Sequence, residues 1–351
     1  MPAELIVAET AGFCFGVQRA ADLVFSCLDA GEPVCTLGPL IHNRQFVEEL
    51  AARGVVVVGS PSDDADKRRI VIRSHGVAQS VYDEMDALGI PYTDATCPFV
   101  RKIHRIAASV PEDGMLVVVG DETHPQVQGI VGHCRGEVRV VSSPEEISAI
   151  PNEYFARKSS LFFVCQTTFQ KNVWEKCAGI AKKVCTNAKI FDTICNATSL
   201  RQQEAARLAE KSDVMIVIGG SHSSNTAKLA AICRPFCRTV QIETASQLDP
   251  ADFVGARSIA ITAGASTPAR IIKEVHETMS EILENQNQEE LSFEEMLNQS
   301  FKSTYNGEKV TGVVTSIAPN EIAVDIGTKH AGYVPLSELT DDPAAKPEDI
   351  V

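Results

Sequence analysis

Residues 117–129 read VVVGDETHPQVQG. An apolar strand ends at Gly120, and a helical pattern is under way by Gly129. Unbroken apolar strands separated by helices point to a parallel sheet covered on both faces. In such sheets ligands bind beyond the carboxyl ends of the strands, which is where His124 falls. Its neighbour Gln126 is a neutral amide where acid–base chemistry would favour a carboxylate.

The pattern recurs along the chain. Strands are expected at 54–59, 69–76, 115–120, 160–168, 214–220 and 258–266, alternating with helices. Gly38 is followed by His42-Asn43, Gly120 by His124-Pro125 and Gly220 by Ser224-Asn225, each four places on. A second set of strand ends carries His75, Thr167-Thr168 and Ser266. A third carries Cys14, Cys97 and Cys195, the last two with an aspartate three residues earlier. The chain therefore divides into three α/β units, spanning roughly 14–96, 97–193 and 194–282 with 1–13. Closed around a pseudo-threefold axis, they would bring three thiols and six polar strand ends together.

Composition narrows the function classes. The 351 residues are 44% apolar and 22% charged, as in an ordinary globular protein. Apolar runs are strand-sized, too short to cross a bilayer, and the N-terminus has no signal-peptide pattern, so a cytoplasmic location is expected. The net charge is −14, so no basic footprint of a strong nucleic-acid binder is present. An anionic ligand would have to be held by local imidazoles, hydroxyls and helix N-termini. The 11 cysteines include no CxxC pair. Cys27, Cys35, Cys134, Cys165, Cys177, Cys185, Cys233 and Cys237 are expected as core residues.

Three thiolates from three loops can hold an iron–sulfur cluster or a zinc ion. A four-iron cluster held by three cysteines leaves one iron free for substrate. Around it would lie His42, His75, His124, Thr167, Thr168, Ser223, Ser224, Asn225 and Ser266, donors suited to phosphate oxygens with hardly a lysine or arginine among them.

At these residues the chain resembles the 4-hydroxy-3-methylbut-2-enyl diphosphate reductase family. The shared motifs are GFCFGV (12–17), HN (42–43), SHGV (74–77), DATCP (94–98), HP (124–125), QTT (166–168), CNAT (195–198), RQ (201–202), SSN (223–225) and TAGAS (262–266). The resemblance implies a 4Fe–4S cluster on Cys14, Cys97 and Cys195, with one iron not ligated by protein. It implies a diphosphate gripped by His42, His75, His124, Ser223, Ser224, Asn225 and Ser266, with Thr167 at the substrate hydroxyl. Electrons would come from reduced ferredoxin or flavodoxin, and the products would be isopentenyl and dimethylallyl diphosphate. The family pattern has His-Pro-Glu where this chain has His124-Pro125-Gln126, and that glutamate is regarded as the proton source. Catalytic work is thereby expected of Thr167, His124 and Gln126, with the proton route altered. A binding protein with an iron–sulfur or zinc centre and impaired turnover is the competing expectation.

Beyond 282 the character changes. Residues 284–290, ENQNQEE, read as a linker, and 291–305 as an amphipathic helix with Leu291, Met296, Leu297 and Phe301 on one face. Residues 306–351 resemble the first three strands of an S-one type OB-fold RNA-binding repeat, with turns at Pro319-Asn320 and Gly327. An OB barrel needs five strands, so a longer fusion protein is expected. The segment is acidic with one obvious stacking ring, Tyr333, so RNA or ribosome binding is expected only of a complete repeat.

Overall fold

A computed structural model describes residues 3–64, 68–185, 188–221, 223–302, 311–318, 321–325, 332–335 and 338. The chain divides into two compact units, Met1–Asn287 and Gln288–Val351. In the first, twelve strands form three parallel sheets of four. They are β1 (Glu4–Val7), β2 (Val34–Leu37), β3 (Val56–Val58), β4 (Arg69–Ile72), β5 (Tyr92–Asp94), β6 (Met115–Val119), β7 (Glu137–Val141), β8 (Leu161–Cys165), β9 (Ala188–Ile190), β10 (Val214–Ile218), β11 (Arg238–Ile242) and β12 (Ser258–Ala263).

The sheet orders are β3-β2-β4-β5, β7-β6-β8-β9 and β11-β10-β12-β1. All three are wound alike, except that β1 takes the fourth place of the last sheet, pairing Glu4 with Ser258 through Val7 with Ile261. The amino-terminal strand thus closes the carboxyl-terminal unit, so the three units form a ring in sequence as well as in space. One backbone bond marks the shared geometry. The N–H groups of Gly38, Gly120 and Gly219 donate to Val58, Val141 and Ile242 at 2.8, 2.9 and 2.8 Å. Gly219 is therefore the counterpart of Gly120, and the register expected from Gly220 shifts by one residue. Ser223, not Ser224, stands where His124 stands in the second unit.

Every residue of β6, β8 and β10 is buried, as double-sided coverage demands. Phe155, Phe163 and Trp174 fill one face of the second sheet, and Phe253, Ile271, Val275 and Met279 one face of the third. Cys35, Cys165, Cys177, Cys185 and Cys233 are buried, Cys27, Cys134 and Cys237 half-buried, and none forms a disulfide.

The linker expected at 284–290 is corrected: a single helix runs from Ala269 to Lys302. The stretch holds neither Gly nor Pro, and Glu and Gln are good helix formers. Ile271, Val275, Met279 and Leu283 pack this helix into the third unit's core. Nucleation is therefore already complete when the polar residues are reached, and each further residue adds a hydrogen bond. The side chains expected on the face of Leu291, Met296, Leu297 and Phe301 lie outside the described residues. In the second unit, β13 (Val313–Ala318), β14 (Glu321–Asp325) and β15 (Gly332–Pro335) form an antiparallel sheet in chain order. The turns expected at Pro319-Asn320 and Gly327 lie outside the described residues.

A buried histidine joins the first two α/β units. His104 stacks on His133 with centroids 4.1 Å apart, and its ring fills the space above Gly76. Burial, reinforced by His133, pushes its pKa down to about 3. The unfolded chain then binds more protons than the native one below pH 6.5. Stability is full above that pH and falls as pH drops toward about 3. The expected loss from His104 is on the order of 4 kcal/mol across that window. Urea unfolding at pH 7 and pH 4.5 checks it: His104→Asn should show a smaller difference between the two pH values than the parent protein.

Candidate active site

The fourth strand of each sheet leads into a loop that ends on a cysteine, and each cysteine opens a helix. Cys14 precedes Phe15–Asp29, Cys97 precedes Pro98–Ala108 and Cys195 precedes Asn196–Ala209. All three are N-cap residues. Their backbone N–H groups donate to Ala265, Ser74 and Thr167 at 3.1, 3.0 and 3.0 Å. Each acceptor lies two residues past the third strand of the same sheet, so the same bond is made three times. Asp94 and Asp192, noted for their spacing, accept from the N–H groups of Thr96 and Ile194 at 2.9 and 3.3 Å. They shape the approach turns rather than the cavity.

The three thiols line one cavity. Burial, and then the neighbouring Cys14 and Cys195, raise the pKa of Cys97, against hydrogen bonds from the Phe99 and Val100 backbone. Three thiols at helix N-termini are a donor set that could hold a soft metal, whose positive charge would favour their thiolate form and relieve its repulsion. Gly16 makes the approach possible: a Cβ there would sit 2.6 Å from Cys97 Sγ. Gly16→Ala is expected to cut retention of any metal held by the thiols severalfold with little change in secondary structure, measured by metal analysis and circular dichroism.

The Asn196–Ala209 helix ties the other loops to Cys195. Arg201 donates through Nε and Nη2 to Thr10 O at 2.8 and 2.5 Å and through Nη2 to Gly12 O at 2.7 Å. Glu204 accepts from the N–H groups of Glu9 and Thr10 at 3.0 and 2.9 Å. The loop before Cys14 is held by these two side chains. Gln202 Nε2 donates to Phe169 O at 3.2 Å, anchoring the QTT loop. Replacing Arg201 with Met strands the buried Gly12 carbonyl and the half-buried Thr10 carbonyl, at an expected cost of about 2 kcal/mol. Denaturant unfolding of the apoprotein checks this.

Three imidazoles line the same cavity. The ring centroids of His42, His75 and His124 lie 4.7, 5.6 and 5.4 Å apart, and nitrogens of all three fall within 4.8 Å of one another. Burial lowers the pKa of His42 and takes that of His75 well below its ordinary value. It brings His124 down to about 4, so all three are neutral at pH 7. His124 Nδ1 accepts from Gln126 N–H at 3.1 Å, capping the Pro125–Val131 helix. That fixes Nε2 as the protonated nitrogen, a donor to any ligand.

Gln126 is 1% exposed, and Thr167 Oγ1 donates to its Oε1 at 3.0 Å. His42 Nε2, His75 Nδ1, Gln126 Nε2 and Asn225 Nδ2 are buried without hydrogen-bond partners. Such orphaned groups on one cavity wall fit a ligand rich in acceptor oxygens. Thr168, Ser223, Ser224, Asn225 and Ser266 complete the lining, with Ser266 Oγ donating to His42 O at 3.3 Å. The three cysteines and all the residues expected from the sequence to bind or act on a ligand thus border one cavity. Ser74 and Thr198 also line it; both lie inside motifs quoted from the sequence but were given no role there, and Asn43, noted beside His42, caps the Arg44–Ala52 helix instead.

The first unit matches the family model described as "LytB protein" over residues 5–280. Residues 305–351 match that of the "S1 RNA binding domain". A 4-hydroxy-3-methylbut-2-enyl diphosphate reductase of Citrifermentans bemidjiense is 42% identical over 281 residues, 80% of this chain and 98% of that one. A reductase of the same name from Clostridium acetobutylicum is 37% identical over 348 residues. That match covers 97% of this chain, which spans about half (53%) of the relative's length. A solved structure of (E)-4-hydroxy-3-methyl-but-2-enyl diphosphate reductase is 36% identical, with a TM-score of 0.60, covering 80% of this chain and 99% of that one. The Plasmodium falciparum diphosphate reductase structure is 25% identical, with a TM-score of 0.72, covering 78% and 86%.

Proposed function

The chain belongs to the LytB family, and from that premise we infer that it reduces 4-hydroxy-3-methylbut-2-enyl diphosphate. The products are isopentenyl and dimethylallyl diphosphate, the last step of the methylerythritol phosphate route. The observation that supports this reading best is the triple N-cap geometry, which brings Cys14, Cys97 and Cys195 into one cavity with neutral His42, His75 and His124.

Cys14, Cys97 and Cys195 would hold an iron–sulfur cofactor, read here as 4Fe–4S with one iron left without a protein ligand. When bound, that group supplies two electrons, accepted from a ferredoxin or flavodoxin, and a Lewis-acidic iron. The protein's share is position and protons. His42, His75, His124, Ser223, Ser224, Asn225 and Ser266 grip the diphosphate, the imidazoles donating as neutral rings. This anchors the chain of the substrate with its hydroxyl end toward Thr167 and the thiols. Thr167 donates to Gln126 and so orders the hydroxyl end. The buried amide of Gln126 offers a hydrogen bond from Nε2 but no proton, so the leaving hydroxyl must draw its proton through Thr167, His124 or the substrate's own diphosphate.

Anaerobic purification with iron and sulfide analysis, followed by turnover of the diphosphate with reduced methyl viologen, tests the reading. Zinc in place of iron, or substrate bound and unchanged, would sink it. Gln126 favours a second reading, a protein that binds the diphosphate with weak turnover; the same assay separates the two. The S1 match adds RNA as a partner class for a complete repeat. A filter-binding titration of single-stranded RNA with the full chain checks this: the prediction is no saturable binding, because the tail is acidic and offers only Tyr333. No helix among the described residues is long and apolar enough to cross a membrane.

A further inference from the structure

Two cations stand behind the histidine wall without bordering the cavity. Arg73 directly precedes Ser74 and His75, and its guanidinium lies against Gly38. A Cβ there would meet Nη1 at 2.5 Å, and φ is +70°. Arg73 Nε is buried with no hydrogen-bond partner. Lys228 follows Ser224 by four residues on the Ser224–Cys233 helix, so it lies on the same face one turn deeper. Its Nζ is buried without a hydrogen-bond partner, 4.6 Å over the Phe169 ring. Neither cation has an ion pair within 4.0 Å among the described residues.

The groups facing these charges are few. His42, His75 and His124 feel Arg73, and His124 feels Lys228. Asp121 and Cys165 face Lys228. The Asp121 carboxylate is engaged by Thr123, accepting from N–H at 2.9 Å and Oγ1 at 2.7 Å. Half-buried cations whose nitrogens are shielded from water and lack a counter-ion are costly unless something bound to the protein balances them. Neutral imidazoles cannot do so. The same two charges act against a metal cation on the histidine triad, although its nitrogens are close enough to hold one.

We propose that Arg73 and Lys228 are the fixed counter-charges of the substrate's diphosphate. They act through the histidine wall and make that wall select a polyanion over a metal cation. The inference rests on the diphosphate reading above and deepens it. Donors in contact with the ligand set its position, while charges one layer back supply attraction in a medium that screens poorly. Both are positioning residues for the ground state, so their loss should raise KM more than it lowers kcat.

The test uses the iron-loaded full chain and inorganic pyrophosphate as the probe, by calorimetry, with KM and kcat measured alongside. Lys228→Met keeps the packing on Phe169 and removes the charge; Lys228→Arg keeps the charge. Arg73→Met and Arg73→Lys form the second pair. The expected result is pyrophosphate binding weakened about tenfold or more in each Met variant, with orthophosphate affected less. Iron content should be unchanged, and the charged variants should recover most of the binding. Pyrophosphate binding equal to the parent in Lys228→Met and Arg73→Met would overturn the proposal and leave the function reading intact. A parent protein that does not bind pyrophosphate would overturn both.

Discussion

Gln126→Glu is expected to raise turnover of the diphosphate about a hundredfold, the lower range of what a positioned general acid contributes. The substitution is nearly isosteric, so Thr167 Oγ1 keeps its 3.0 Å bond to the same oxygen. The new second oxygen takes the place of Nε2, which is buried and has no partner. A carboxyl at a site 1% exposed is held in its protonated form to higher pH than a surface carboxyl. It would then carry a proton to the leaving hydroxyl without repelling the diphosphate. The variant should also gain a basic limb in its pH–rate profile, falling as the new carboxyl ionises, which the parent lacks. Single-turnover kinetics with the iron-loaded protein measure both. An unchanged rate and an unchanged profile would mean that the proton reaches the hydroxyl by another route.

Cys97→Ser is expected to remove nearly all retained iron and to cut turnover by about a thousandfold or more. Serine preserves the backbone bond to Ser74 O at 3.0 Å and the start of the Pro98–Ala108 helix, so the fold survives. What it removes is the soft thiolate on which the donor set depends. Cys165→Ser is the contrast. Cys165 is wholly buried in β8 and borders no part of the cavity, so iron content should stay near the parent level while stability falls. Iron and sulfide analysis with thermal unfolding separates the two. Full iron in Cys97→Ser, or loss of iron in Cys165→Ser alone, would contradict the assignment of ligands.

The three cysteines were legible because each sits at the same offset in a repeat, and repeats survive in sequence whatever the chain does in space. Gly120 with His124 was legible for the same reason. The third unit was misread by one residue because Gly219 and Gly220 are adjacent, and only the bond from Gly219 to Ile242 tells them apart. The linker reading failed because polar composition was taken for lack of structure. A helix already nucleated by Ile271, Val275 and Met279 carries on through any residues that do not break it. Outer strands such as β7 and β11 carry half-buried, mixed residues and leave little periodic signal.

The sequence alone determined the strand–helix alternation, the threefold repeat and the identity of the groups at the strand ends, because these are local properties of residue type and spacing. The tertiary structure alone decided that β1 closes the last sheet, that burial holds three imidazoles neutral, and that Arg73 and Lys228 are half-buried cations beside them. Desolvation depends on which distant segments cover a side chain, and those segments come from different units of the ring. A lysine four places after a serine reads as a solvated helix face until Phe169 of the second unit is seen beneath it.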